Sequence, residues 1–146
     1  MLRIYFDNCC YNRPFDDLRQ EKVALEAKAV EDIIVKLSNG EIEIYTSGAV
    51  EYELRAISEG AKKRQVEDLY DLTDVKYIRN SREIKIRAGE LMKQNLNHMD
   101  AYHIAYAEKE GVDYLITTDK QMLNAGKNSD TKVKIINPVK FIMEVV

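Results

Sequence analysis

The chain reads as an α/β protein, a three-layer α/β/α sandwich around a central, mostly parallel sheet. Three observations predict it. Short apolar stretches with strand-like alternation recur between longer stretches of helical periodicity. The connections between them are long enough for crossovers, so successive strands can run the same way. The chain has 146 residues, 45% hydrophobic and 32% charged, with only two prolines and six glycines, which suits one compact domain over residues 1–146.

Residues 2–7 (LRIYFD) alternate and are rich in Ile, Tyr and Phe, which predicts a buried strand ending at Asp7. The loop NCCYNRPFDD follows, interrupted by Pro14. From Glu21 to Leu37, the apolar residues Val23, Ala27, Val30, Ile34 and Leu37 recur at helical spacing, and Asn39-Gly40 supplies the stop. Residues 41–46 (EIEIYT) alternate again, and Ser47 offers an N-cap to a helix over 48–59. Further helices are expected near 61–72 and 81–95, flanking a short strand at Val75–Ile78. Asn97 can cap a helix from 98 to 110 that Gly111 ends, and Asp113–Thr117 reads as a strong strand. A brief helix at 120–125 leads to a last strand, Lys132–Ile136.

A formal charge of -3 argues against a protein that coats nucleic acid nonspecifically, although a local basic patch can still grip a phosphate backbone. Segment 79–93 has a modest positive excess, for which a solvated helix face is the favoured reading. No stretch resembles a secretory signal, and no apolar run approaches the roughly 18 residues of a membrane span. Cys9 and Cys10 are adjacent and cannot staple distant segments, so the expectation is a reduced, cytoplasmic protein without a membrane partner.

Four carboxylates stand where strands end or where helices turn an apolar side inward. In the helix expected over 48–59, Val50, Leu54 and Ile57 form a stripe, and at 100° per residue Glu53 falls within it while Glu51 and Glu59 point elsewhere. Asp100 shares a face with Ala101, Ile104 and Ala107 in the helix at 98–110. Asp7 ends the first strand, and Asp119 closes Thr117-Thr118-Asp119 after an apolar strand. Parallel sheets place ligands beyond the carboxyl ends of their strands, which is where Asp7 and Asp119 lie.

Each acid also has a purely structural reading. Asp119 can cap a short helix, Asp100 can partner an Asn97 cap, Glu53 can pair with a buried arginine such as Arg3, and Asp7 can make a turn with Asn8. If the four converge, they offer only hard oxygen ligands, which favours Mg²⁺ or Mn²⁺ over zinc or copper. Such a site suits phosphodiester hydrolysis, because a divalent cation activates water and neutralises phosphoryl charge. His98 and His103 are five apart and form no competing metal motif, so His103 is read as a packing or hydrogen-bonding residue.

The segments YFDNCCYNRPFDD, YTSGAVEYEL, MDAYHIAYAEKEGVDYLITTD and IINPVKFI together resemble a PIN-domain protein of the VapC-like kind, in order and over nearly the whole chain. By that resemblance Asp7, Glu53, Asp100 and Asp119 are the metal-binding and catalytic acids of a Mg²⁺- or Mn²⁺-dependent ribonuclease. Asn8 and Thr117 match supporting polar positions. The resemblance further implies the toxin of a type II toxin–antitoxin pair, with an antitoxin protein as partner and a homodimer as assembly. Arg13, Arg55, Arg82 and Lys85 are candidates for holding the RNA backbone, since positioning contacts need no sequence code. The competing reading is a catalytically silent module of the same fold that binds RNA or a partner protein.

Overall fold

A computed structural model describes residues 1–146. Its strands are β1 (Leu2–Phe6), β2 (Ile42–Ser47), β3 (Lys76–Ile78), β4 (Tyr114–Ile116) and β5 (Lys134–Ile136). Its helices are α1 (Asn8–Asn12), α2 (Glu21–Ser38), α3 (Gly48–Arg55), α4 (Ala61–Leu72), α5 (Arg82–Met92), α6 (His98–Glu110), α7 (Lys120–Asn128) and α8 (Pro138–Glu144), with a 3-10 turn at Arg13–Phe15. The strands form one sheet in the order β3-β2-β1-β4-β5, and every adjacent pair is parallel. The predicted α/β/α fold is therefore present, with a sheet that is parallel throughout.

A parallel sheet covered by crossover helices buries both faces of its central strands. Ile4, Tyr5 and Phe6 of β1, Ile44 of β2 and Leu115 and Ile116 of β4 are all fully buried, within one contiguous core of 29 residues. Register fixes which residues reach the carboxyl edge together. Tyr5 lies opposite Tyr45 on one side, and Phe6 lies opposite Ile116 on the other. The next residues, Asp7 and Thr117, and Ser47 at the end of β2, therefore emerge along one edge.

The chain moves from β1 through β2 to β3 on one side, then returns through α5 and α6 to β4 on the other side of β1. This reversal puts the topological switch point, the usual ligand crevice of an open parallel sheet, between β1 and β4.

Several boundaries differ from those expected from sequence. The helix expected over 48–59 ends at Arg55, and the one expected over 81–95 ends at Met92, where Asn95 takes a left-handed conformation (φ 72°). The brief helix at 120–125 runs on to Asn128. The loop after Asp7 contains α1, and a further helix, α8, packs against α2. A local signal for α8 exists: the Asn137 side chain accepts the Val139 N–H at 2.8 Å, and Pro138 occupies the first turn, where its missing N–H has no intrahelical partner to lose.

On the flank of α6, Arg87 of α5 is the centre of an ion cluster. Its Nε and Nη2 reach Glu108 at 2.7 and 3.1 Å, Nη2 reaches Asp130 at 2.7 Å, and Glu90 lies 3.6 Å from Nη1. Thr131 donates its hydroxyl to Glu108 at 2.6 Å. Arg87, one of the five basic residues in segment 79–93, is thereby committed to holding α5 to α6.

Candidate metal centre

Asp7 is the first residue past β1, and its position is fixed twice. Its N–H donates to the Ile116 carbonyl at 3.0 Å, and its carboxylate caps α1 by accepting the Asn8 N–H at 2.8 Å. The other carboxylate oxygen accepts the Thr117 hydroxyl at 2.8 Å, so β4 orients the acid that β1 delivers. Thr117 Oγ1 in turn accepts the Asp119 N–H at 3.0 Å, which ties the TTD turn to Asp7 through one fully buried hydroxyl. Cys9 Sγ, 3.3 Å from Thr117 Oγ1, accepts the Thr118 N–H and closes α1 onto the same turn.

Glu53 enters from α3, which Ser47 caps by accepting the Ala49 N–H at 3.2 Å. Val50 and Leu54 are buried beneath it, as helical phase requires, while Tyr52 faces solvent. Glu53 does not meet Arg3, which instead pairs with Glu110 and Tyr45. Its Oε1 lies 2.5 Å from Nε2 of His103 on α6. Oxygens of Asp7 and Glu53 and a nitrogen of His103 all lie within 4.8 Å of one another.

His103 has the hydrogen-bonding character expected of it, and more partners than sequence could reveal. Its Nδ1 lies 2.7 Å from the Tyr5 hydroxyl, which lies 2.6 Å from Ser47 Oγ. A buried chain therefore runs from the N-cap of α3 through Tyr5 and His103 to Glu53. Burial pushes the imidazole pKa down, but the Glu53 hydrogen bond and the charges of Asp7, Glu53 and Asp100 outweigh it and hold it above its ordinary value. Both ring nitrogens of His103 thus face protein partners, Nε2 toward Glu53 and Nδ1 toward Tyr5.

Asp100 is buried in the first turn of α6. The capping reading also holds here: Asn97 accepts the Asp100 N–H at 2.8 Å and donates its amide to Asp100 Oδ2 at 3.1 Å. The carboxyl is pushed up to about 6, first by burial and then by the charges of Asp119, Asp7 and Glu53. Asp119 is exposed and caps α7 by accepting the Gln121 N–H at 3.0 Å. Asp100 and Asp119 thus each serve the start of a helix; the close group within 4.8 Å comprises Asp7, Glu53 and His103, and Asp100 and Asp119 adjoin it, near enough for the charges of Asp119, Asp7 and Glu53 to be felt at Asp100.

No lysine or arginine forms an ion pair with any of the four acids. Mutually repelling carboxylates, one with its proton affinity raised, are the donor set a hard divalent cation would relieve. The residues present fit such an ion.

The candidate RNA-holding residues differ in their surroundings, and Arg13 stands beside the site. Arg13 is committed to Asp16 at 3.0 Å, to the buried Glu26 at 3.2 Å and to the Thr118 hydroxyl at 3.0 Å, anchoring the 3-10 turn beside the TTD turn. Arg55 is exposed and donates to the Glu51 carbonyl. Arg82 and Lys85 are exposed on the half of α5 that adjoins the C-terminal end of α6, where Glu83 meets Lys109, whereas Asp100 is in the first turn of α6.

A family model described as the PIN domain matches residues 18–128, a span that includes Glu53, Asp100 and Asp119 and begins after Asp7. Among solved structures, FitAB bound to the IR36 DNA fragment is similar at a TM-score of 0.63 and 16% identity, over 93% of this chain and 95% of that one. VapBC2 from Rickettsia felis bound to a DNA fragment from its promoter is similar at 0.61 and 17% identity, over 93% and 98%. PAE2754 from Pyrobaculum aerophilum is similar at 0.57 and 17% identity, over 97% and 87%. No curated protein matches the chain. At these identities the structures speak for the fold, which all three share with this chain.

Proposed function

The chain belongs to the PIN-domain family, whose members are generally nucleases that use divalent metal ions, and on that premise we propose that it is a Mg²⁺- or Mn²⁺-dependent ribonuclease acting through residues 1–146 as one domain. The observation that carries this reading is the set of acids at the β1/β4 switch point with no lysine or arginine to balance them.

In this reading Asp7 and Asp100 hold the principal cation, Glu53 orients the attacking water or serves as a further ligand, and Asp119 completes the site. Thr117 and the Asn8 N–H fix the Asp7 carboxylate, and His103 fixes Glu53. A bound divalent cation supplies Lewis-acid stabilisation of phosphoryl charge and a more acidic water. Water attacks phosphorus in line, the bond from phosphorus to O3′ breaks, and the departing oxygen takes up a proton. The products are a 5′-phosphate and a 3′-hydroxyl.

Two of the structural neighbours are toxin–antitoxin pairs on DNA, which supports an antitoxin protein as the cognate partner and a toxin's role for this chain. A homodimer is the assembly this reading assigns.

The test is Mn²⁺-dependent cleavage of single-stranded RNA by the wild type and by Asp7→Asn. The wild type is expected to release 5′-phosphate ends and the variant to lose at least about a hundredfold in rate, as removal of a transition-state electrostatic group does. Undiminished cleavage by Asp7→Asn would refute the assignment. A wild type that binds Mn²⁺ and RNA but releases no 5′-phosphate ends would be a silent binding module.

A further inference from the structure

A cleft of about 390 Å³ opens beside the acids, between the α5–α6 connection and α7, with Asp100 in its lining. That volume lies within the ~300–1,000 Å³ usual for small-molecule sites. Nine residues line it, and six of them carry carboxamides: Gln94, Asn95, Asn97, Gln121, Asn124 and Asn128. The whole chain has nine asparagines and four glutamines, so nearly half of its amide side chains meet at this one place. Two are occupied, since Asn97 caps α6 and Gln94 accepts the Asp130 N–H at 2.8 Å. The side chains of Asn95, Gln121, Asn124 and Asn128 make no hydrogen bond within the protein.

Local structure explains how they are gathered. In α7, Gln121, Asn124 and Asn128 recur at i, i+3 and i+7, so they share one face, and Ala125 beside them leaves room. Asparagine is a poor choice inside a helix, so Asn124 in the middle of α7 does not serve helix stability. Asn95 adopts the left-handed conformation at a helix end, where glycine is the default; asparagine tolerates it and keeps an amide on the cleft.

The lining selects its ligand. It contains no lysine or arginine, which argues against a phosphate, and no aromatic ring, which argues against a stacking platform. A carboxamide presents a donor and an acceptor side by side, the complement of the edge of a nucleobase, and single-stranded RNA is read on exposed base edges. We propose that this cleft is a base-recognition subsite, which receives an unstacked nucleobase of the RNA flanking the bond to be cut and so sets sequence preference. This rests on the ribonuclease reading, because it is Asp100 that makes the cleft a neighbour of the cutting site.

The test compares the wild type with Asn124→Ala/Asn128→Ala, exposed helical positions where alanine favours folding. Both are given a degenerate RNA pool, and the released 5′-phosphate ends are sequenced. The wild type is expected to prefer one base at a position next to the cut, and the double variant to lose about tenfold of that preference, the size of a bidentate base contact. Its Mn²⁺ affinity is expected to stay unchanged. A preference that survives in the double variant would overturn the proposal, as would a wild type with no preference, or a loss equal for all four bases, which would place ribose or backbone in the cleft.

A second arm separates this from the parent reading. Labelled A4, C4, G4 and U4 oligonucleotides are titrated into Asp7→Asn protein with and without the two alanines. If the wild type does not cleave, the ribonuclease reading fails alone. Selective binding of one oligonucleotide, lost in the double variant, then keeps the base site, and equal binding of all four removes it.

Discussion

Two clusters of acids flank α6, and they differ in what balances them. Around Arg87, the carboxylates of Glu108, Asp130 and Glu90 converge on one guanidinium, and Asp130 is held below the usual carboxylate range first by Arg87 and then by Gln94. At the switch point, Asp7, Glu53, Asp100 and Asp119 have only the His103 imidazole among them, and Asp100 is pushed up to about 6. The same side chains thus shift in opposite directions. The first cluster is complete as a piece of structure, whereas the second is short of positive charge and is paid for by folding elsewhere.

That difference can be broken open by neutralising one acid in each cluster. Asp100→Asn keeps the Asn97 contact but removes a buried charge, so it is expected to stabilise the metal-free protein. The sign follows from linkage. With its folded pKa raised from 3.8 to about 6, Asp100 binds more protons in the folded than in the unfolded chain between those values, so wild-type stability falls as pH rises from about 4 to about 6. The variant should lack that fall and gain on the order of 3 kcal/mol at most near pH 7. Denaturant unfolding in EDTA across pH 4–7.5 measures it, and parallel wild-type and variant curves would show that Asp100 carries no such burden.

Glu108→Gln is the opposite case. It breaks a paired contact to Arg87 and is expected to destabilise by about 2 kcal/mol, between the values for exposed and buried ion pairs. The same unfolding experiment reads it, and a neutral or stabilising result would erase the contrast between the clusters.

The smallest effect concerns the group that orients Glu53. His103→Leu is expected to weaken Mn²⁺ binding about tenfold, the lower end of the effect of removing an outer partner of a metal ligand. His103→Gln, which retains a donor near the Nε2 position, should recover much of it. Calorimetric titration distinguishes this from a ligand's role, in which both variants would fail alike.

How much of this was readable beforehand depends on whether the signal was local. Alternation in LRIYFD and EIEIYT predicted β1 and β2 because those strands are buried by regular pleating, and helical phase separated Glu53 from Glu51 and Glu59 because α3 packs by Val50 and Leu54. The caps at Ser47, Asn97 and Asp119 are likewise local and are present as expected. The contact between Glu53 and His103 spans 50 residues, and no periodicity in either helix encodes it. The same holds for the partners of Arg13, Glu26 and Thr118, which come from α2 and the end of β4. The amide cleft was hidden for the same reason: its residues come from two segments that only the fold brings side by side.

The most direct test is calorimetric titration of Mn²⁺ into metal-free wild type, Asp7→Asn and Glu108→Gln. Saturable binding by the wild type is expected, with its loss in Asp7→Asn and its retention in Glu108→Gln. No binding by the wild type, or equal binding by Asp7→Asn, would contradict the claim that the acids at the switch point form a cation site.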